Sequence, residues 1–118
     1  MNDLLKKIVE WNEANEYQKC VDAIEAIPEE ERGYELTVLL GRAYSNLGVL
    51  GDNNSKANED GVDIFLLEKA VNIFESVRLQ GLDDWYWNCR MAYALWMTSG
   101  RELEVLAYAR KWQQLKAL

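Results

Sequence analysis

Three runs of neighbouring carboxylates are the first residues in this chain with a claim to chemistry: Glu29-Glu30-Glu31, Glu59-Asp60 and Asp83-Asp84. Two carboxyl groups share acid–base work when they converge on one cleft and their surroundings drive their pKa values apart. These runs instead stand at predicted helix starts or in a predicted loop. Capping, attraction to the helix dipole and solvation explain them there. The stretch Asp52-Asn53-Asn54-Ser55 through Glu59-Asp60-Gly61 offers oxygen ligands for a hard cation such as calcium. Its spacing departs from D-x-[DN]-x-[DN]-G, and no bidentate glutamate follows at the right distance. Histidine is absent altogether. Ser-His and Cys-His nucleophile activation and histidine metal sites are thereby removed. No glycine-rich phosphate loop is present. The expectation is a protein with no catalytic, metal-binding or cofactor-binding residues, hence not an enzyme.

The two cysteines, Cys20 and Cys89, fall at small apolar positions inside predicted helices and read as reduced, buried thiols of a cytoplasmic protein. A net charge of −7 repels phosphate backbones on average. The basic residues Lys6-Lys7, Lys69 and Arg110-Lys111 are scattered among acids, so no nucleic-acid partner is expected. The opening MNDLLKKIVEW is amphipathic and too polar for a signal-peptide core. No apolar run reaches membrane-spanning length, so no membrane partner is expected either.

The elements that carry these residues are helices. Leu4, Leu5, Ile8, Val9 and Trp11 recur at helical spacing over residues 2–14. Tyr17, Cys20, Val21, Ile24 and Ile27 form the stripe of a second helix, which Pro28 stops. A third carries Leu36, Leu39, Leu40, Ala43, Tyr44 and Leu47 and ends at Gly48 or Gly51. The polar run 51–61, bounded by glycines, predicts a loop. A fourth helix spans about 63–80 with Leu66, Leu67, Ala70, Ile73, Phe74 and Val77 inward and Gly81 as its C-cap. Asp83 or Asp84 caps a fifth helix through Trp85, Trp87, Met91 and Trp96 to about Thr98. After Ser99-Gly100 a sixth helix runs towards the C-terminus.

Six helices in three hairpins invite a search for internal repeats. GRAYSNLG at 41–48 aligns with RMAYALWM at 90–97, and ANEYQKCVDAI at 14–24 parallels SGRELEVLAYA at 99–109. With small residues at Gly41, Ala43 and Ala70 and aromatics at Tyr44, Phe74 and Tyr93, the chain resembles the tetratricopeptide repeat family. The resemblance implies an all-α, single-domain fold: a short right-handed solenoid of about three antiparallel hairpins. The repeats cover 1–31, 32–81 with the inserted loop 51–61, and 82–118. The spacing from Tyr44 to Ala70 exceeds the family's, leaving about 17 residues inserted in repeat two of a pattern that normally spans roughly 34.

The resemblance also implies a function, a protein–protein interaction or scaffolding module that binds a protein or peptide. Two rival readings are an architectural domain that positions a catalytic or effector domain and an enzyme of unrecognised type. In this family the first helix of each hairpin lines the concave face. Carried over, the groove takes Leu5, Asn12 and Glu13, then Val38, Arg42, Ser45 and Asn46, then Trp87, Arg90 and Met91. The family's clamp for a terminal carboxylate is not matched, because Asn12 and Glu13 stand where its first basic residues would be. From the residues themselves, Trp87 has two readings. The fifth helix is apolar nearly all round and so fit for the core, yet a ring aimed at the groove would anchor a partner.

The last helix has two apolar stripes. Val105, Tyr108, Ala109, Trp112 and Leu115 suit the core. Leu103, Ala107 and Leu118, with Leu106 at the margin, fall on the opposite side. Leaving several leucines in water is unfavourable, so this edge is expected to be covered by further chain or, in a weak homodimer, by a second copy.

Overall fold

A computed structural model describes residues 2–51, 62–98 and 100–118. Most of the expected loop at 51–61 therefore lies outside the described residues. Among those described, every regular element is helical: α1 (Asn2–Glu13), α2 (Tyr17–Glu25), a 3₁₀ turn (Glu29–Glu31), α3 (Gly33–Leu50), α4 (Ile64–Glu75), α5 (Arg78–Gly81), α6 (Trp85–Trp96) and α7 (Glu102–Lys116). None is long and apolar enough to cross a membrane.

Local chemistry accounts for the boundaries. Asn15, at φ 60, turns the chain between α1 and α2, and the Tyr17 hydroxyl donates to its side chain. Gly51, at φ 75, ends α3 with its N–H on the Leu47 carbonyl. Asp63 caps α4 by accepting from the Leu66 N–H, and Asp84 caps α6 by accepting from the Tyr86 N–H. Gly48 does not end α3. It sits inside the helix, where an added Cβ would lie 3.1 Å from the Asp63 carbonyl oxygen. The Asp63 N–H in turn donates to the Gly48 carbonyl at 2.7 Å, so α3 and α4 are joined at the base of their connection.

The expected fourth helix is broken. The Ser76 hydroxyl donates to the Ile73 carbonyl, Val77 leaves the helical region at φ −122 and ψ 26, and the short α5 follows. A side chain that bonds the helix backbone offers it an alternative to continuing. The break delivers Gly81 to the face of Trp87. A Cβ at Gly81 would lie 2.3 Å from that ring, so this glycine serves close packing rather than the C-cap role expected of it. The buried Asn88 amide fixes the same turn by donating to the carbonyls of Gly81, Leu82 and Asp84.

The helices pair in sequence order: α1 with α2, α3 with α4, α6 with α7. Each pair then meets the next, α2 packing on α3 and α4 on α6, while α1, α3 and α6 touch as a row. Ile8, Ile24, Leu36, Leu40, Leu47, Ala70, Phe74, Trp87, Met91 and Leu95 form one continuous core through all three pairs. Gly41 lets α4 come close, since a Cβ there would be 2.5 Å from the Phe74 ring. The Tyr44 hydroxyl reaches Glu25 on α2 at 2.6 Å, and Tyr34 reaches Asp84 at 2.6 Å. Tyr93, expected to fill an inter-hairpin space, is instead half exposed against Trp112 and Arg90. Both cysteines are buried, and the Cys20 thiol donates to the Ile8 carbonyl at 3.5 Å.

Candidate functional site

The seam between α3 and α6 gathers polar side chains that the core cannot use. On α3, Arg42 and Asn46 are one helical turn apart; on α6, Tyr86 and Arg90 are one turn apart. The two pairs cross. The Arg42 guanidinium donates through Nη1 to the Tyr86 hydroxyl at 3.0 Å, and Arg90 donates through Nη2 to the Asn46 carbonyl oxygen at 3.1 Å. Arg90 also stacks over Tyr93, 5.2 Å from its ring centre. The Nε atoms of both arginines are buried without a hydrogen-bond partner.

Among the described residues neither arginine is paired with a carboxylate. The ion pairs among the described residues join Glu16 to Lys19, Glu75 to Arg78 and Glu104 to Arg101. Burial pulls Arg90 below the ordinary guanidinium range, and the Arg42 charge beside it acts in the same direction.

Cavities open beside this ladder. One of about 230 Å³ is lined by Ser45, Asn46, Val49, Leu50, Arg90, Tyr93, Trp96 and Met97. Another of about 250 Å³ lies towards the start of α3, between Leu5, Val9, Val38, Leu39 and Tyr86, with Tyr34, Glu35 and Asp84 also lining it. At the first of these, Trp96 is 68% exposed. The same indole walls a third opening of about 280 Å³ with Leu95, Thr98, Glu102, Val105 and Leu106. Exposed aromatic and arginine side chains at a concave surface are the residue types that dominate binding energy at protein interfaces.

The expected groove residues divide here. Arg42, Asn46 and Arg90 come together at the seam, and the buried Ser45 lines the adjoining cavity. Trp87 and Met91 do not belong to an open groove, since both are fully buried. Trp87 is held from several sides. Its Nε1–H donates to the Phe74 carbonyl at 2.9 Å, Gly81 lies under it, and Arg78 and Tyr108 pack on it. Asn12 and Val38 are buried too, the Asn12 amide donating to the Ile8 carbonyl at 3.2 Å.

Sequence reasoning missed Tyr86, Tyr93, Trp96 and Met97. The stripe Tyr86, Arg90, Tyr93, Met97 is offset by one residue, about 100° of rotation, from the stripe Trp87, Met91, Ala94 that faces inward. Arg90 was the available signal, because a charged residue in an apolar helix marks the side that cannot enter the core.

The outer stripe of α7 lies in water. Leu103, Leu106, Ala107 and Leu118 are all exposed, and Val105, Tyr108 and Trp112 lean on the core or on α6. The carboxylate runs that are described stand apart from one another. Glu29, Glu30 and Glu31 are exposed on the 3₁₀ turn, Asp84 caps α6, and Glu59-Asp60 lie outside the described residues. Among the described residues no three or more histidine, cysteine, aspartate or glutamate side chains are grouped as metal ligands.

No protein-family model, curated protein or solved structure matches this chain.

Proposed function

We propose that the chain is a protein-interaction module of tetratricopeptide type, and that it holds a segment of another protein along the α3–α6 seam. The observation that carries the reading is Trp96, a tryptophan left largely in water between two cavities, one of them shared with Arg90, which pairs with no carboxylate among the described residues. A ring that size is ordinarily placed against other apolar surface, and its exposure here leaves a large apolar area for a partner to cover. The repeat assignment is supported by the order of packing. Each helix pair meets the next, the first helices α1, α3 and α6 form a row, Gly41 sits where α4 approaches closely, and Ala70 is fully buried.

An architectural role, in which the domain carries a neighbour, draws on a separate observation: α7 has no buried residue and exposes Leu103 and Leu106.

A library of random twelve-residue peptides displayed on phage and selected against the immobilised protein tests the interaction reading. Peptides are expected to be enriched, and their binding is expected to fall at least ten-fold in Trp96→Ala while the melting temperature stays unchanged. No enrichment, or binding indifferent to Trp96, would overturn the assignment of the seam.

A further inference from the structure

The second helices of the three hairpins differ in what covers them. α2 packs under α3 and α4 under α6, and each contributes buried residues to the core. α7 packs on α6 and buries no residue of its own. Its outer side presents Leu103, Leu106, Ala107 and Arg110, all exposed. They stand at the i, i+3, i+4, i+7 spacing of a single helix face.

That spacing is symmetric about the midpoint between Leu106 and Ala107. A second α7 turned end for end on the same midpoint sets Leu106 against the other copy's Ala107. It also sets Leu103 against the other copy's Arg110. A large side chain then meets a small one near the centre, as interlocking faces require, and the arginine stem covers the outer leucine.

The charges follow the same arrangement. Glu102 and Glu104 stand on either side of Leu103 in sequence, and Lys111 follows Arg110; all four are exposed. Among the described residues neither Arg110 nor Lys111 joins an ion pair. Glu102 accepts from the Gly100 N–H, and Glu104 pairs with Arg101 on the surface. End-for-end pairing therefore brings two cations to two carboxylates at each end of the contact. Parallel pairing would set like charges together. The dipole of α7 by itself favours acids at its start and bases at its end. It does not account for the leucines set between them or for the symmetric spacing.

We infer that α7 is a self-pairing edge, on which a second copy of this chain docks antiparallel about the midpoint between Leu106 and Ala107. The overlap from 102 to 111 is about 15 Å long at 1.5 Å per residue, so each copy covers less than the roughly 800 Å² of a standard interface. The pairing is accordingly weak, with a dissociation constant on the order of 100 µM. It makes no use of the α3–α6 seam and stands or falls apart from that reading.

Engineered cysteines test the register. Ala107→Cys places two thiols beside the axis, whereas Leu103→Cys places them about 10 Å apart along the helices, beyond disulfide reach. Under mild oxidation near the dissociation constant, a linked dimer is expected from Ala107→Cys and not from Leu103→Cys. The natural chain is the control, since its own two cysteines are buried. Charge exchange tests the pairing itself by sedimentation equilibrium. Arg110→Glu with Lys111→Glu is expected to weaken the dimer at least ten-fold, and so is Glu102→Lys with Glu104→Lys. An equal mixture of the two variants is expected to regain the natural affinity, because every end of the mixed dimer again faces opposite charge. Circular dichroism checks that the variants fold, and where one does not, the cysteine pair still decides. Linking at both positions would mean a parallel or sliding contact and overturn the arrangement. So would a mixture that fails to associate. A monomer at every concentration, without linking at position 107, would overturn self-pairing. Loss of library-selected peptides on Leu103→Glu with Leu106→Glu, in a chain that stays monomeric, would give the face to a different protein and overturn it too.

Discussion

The two sides of α6 each carry a tryptophan, and they meet opposite fates. Trp87 is 0% exposed, with a carbonyl for its N–H, a glycine against its face and two further side chains around it. Trp96, nine residues later, has open cavities on either side and remains mostly in water. Both are apolar aromatics on one helix, so residue type does not separate them. Their neighbours do. Trp87 is opposed by Gly81, whose missing Cβ makes room for the ring, whereas Trp96 is flanked by a polar seam and by an α7 that buries no residue of its own.

The inner side can be broken most severely. Trp87→Ala is expected to lower stability by about 3–5 kcal/mol, since it opens a large cavity and removes one of the hydrogen bonds to the Phe74 carbonyl. Gly81→Ala adds only a methyl group, but one that would overlap the ring, and about 1–3 kcal/mol is expected from overpacking. Chemical denaturation followed by circular dichroism measures both. If Gly81→Ala were neutral, the turn would be able to move and the inner side would be looser than described.

Alkali probes the ties that hold α3 to its neighbours. Burial, reinforced by bonds to Asp84 and Glu25, pushes the hydroxyls of Tyr34 and Tyr44 above the ordinary tyrosine range. A pKa raised on folding contributes stability that is complete below the unfolded value, about 10, and is lost as pH climbs above it. Melting temperature is therefore expected to decline from about pH 10 upwards. In the Tyr34→Phe, Tyr44→Phe double variant the decline should be shallower. An identical slope would mean that these hydroxyls ionise freely in the folded chain.

On the outer side the expected effects on folding are small. Trp96→Ala and the pair Leu103→Glu, Leu106→Glu should each change stability by no more than about 0.5 kcal/mol, the usual range for surface changes. The leucine pair has a second readout. If the exposed stripe of α7 joins two copies weakly, light scattering after size exclusion should show mass rising with concentration in the natural chain and not in the variant. A monomer at every concentration, with no gain in solubility for the variant, would remove self-association from the account.

Much of the secondary structure was legible in the sequence, because apolar periodicity and capping residues are local signals. Asp63, Asp84, Asn15 and Gly51 act within a few residues of where they stand. The break at Ser76–Val77 was not legible, since the fourth helix's apolar stripe runs on through Val77 and the turn is fixed by Asn88 and Trp87 from the next hairpin. The face of α6 stayed open between core and groove for a related reason, and burial of Trp87 decides for the core. A helix apolar nearly all round gives no amphipathic preference, and a shift of one residue exchanges Trp87 for Tyr86. The seam joins residues 44 positions apart, Arg42 with Tyr86 and Asn46 with Arg90, and no local spacing announces such pairs.

The bond between the Asp63 N–H and the Gly48 carbonyl has a use of its own. It gathers the chain's departure from α3 and its return into α4 at a single point. Closing a loop costs only about 0.6 kcal/mol more for each doubling of its length. The site is thus a ready-made port for grafting. An affinity tag or a fluorescent protein whose own termini lie close together can be spliced there, and the bundle then becomes a carrier that reports on its cargo without being rebuilt.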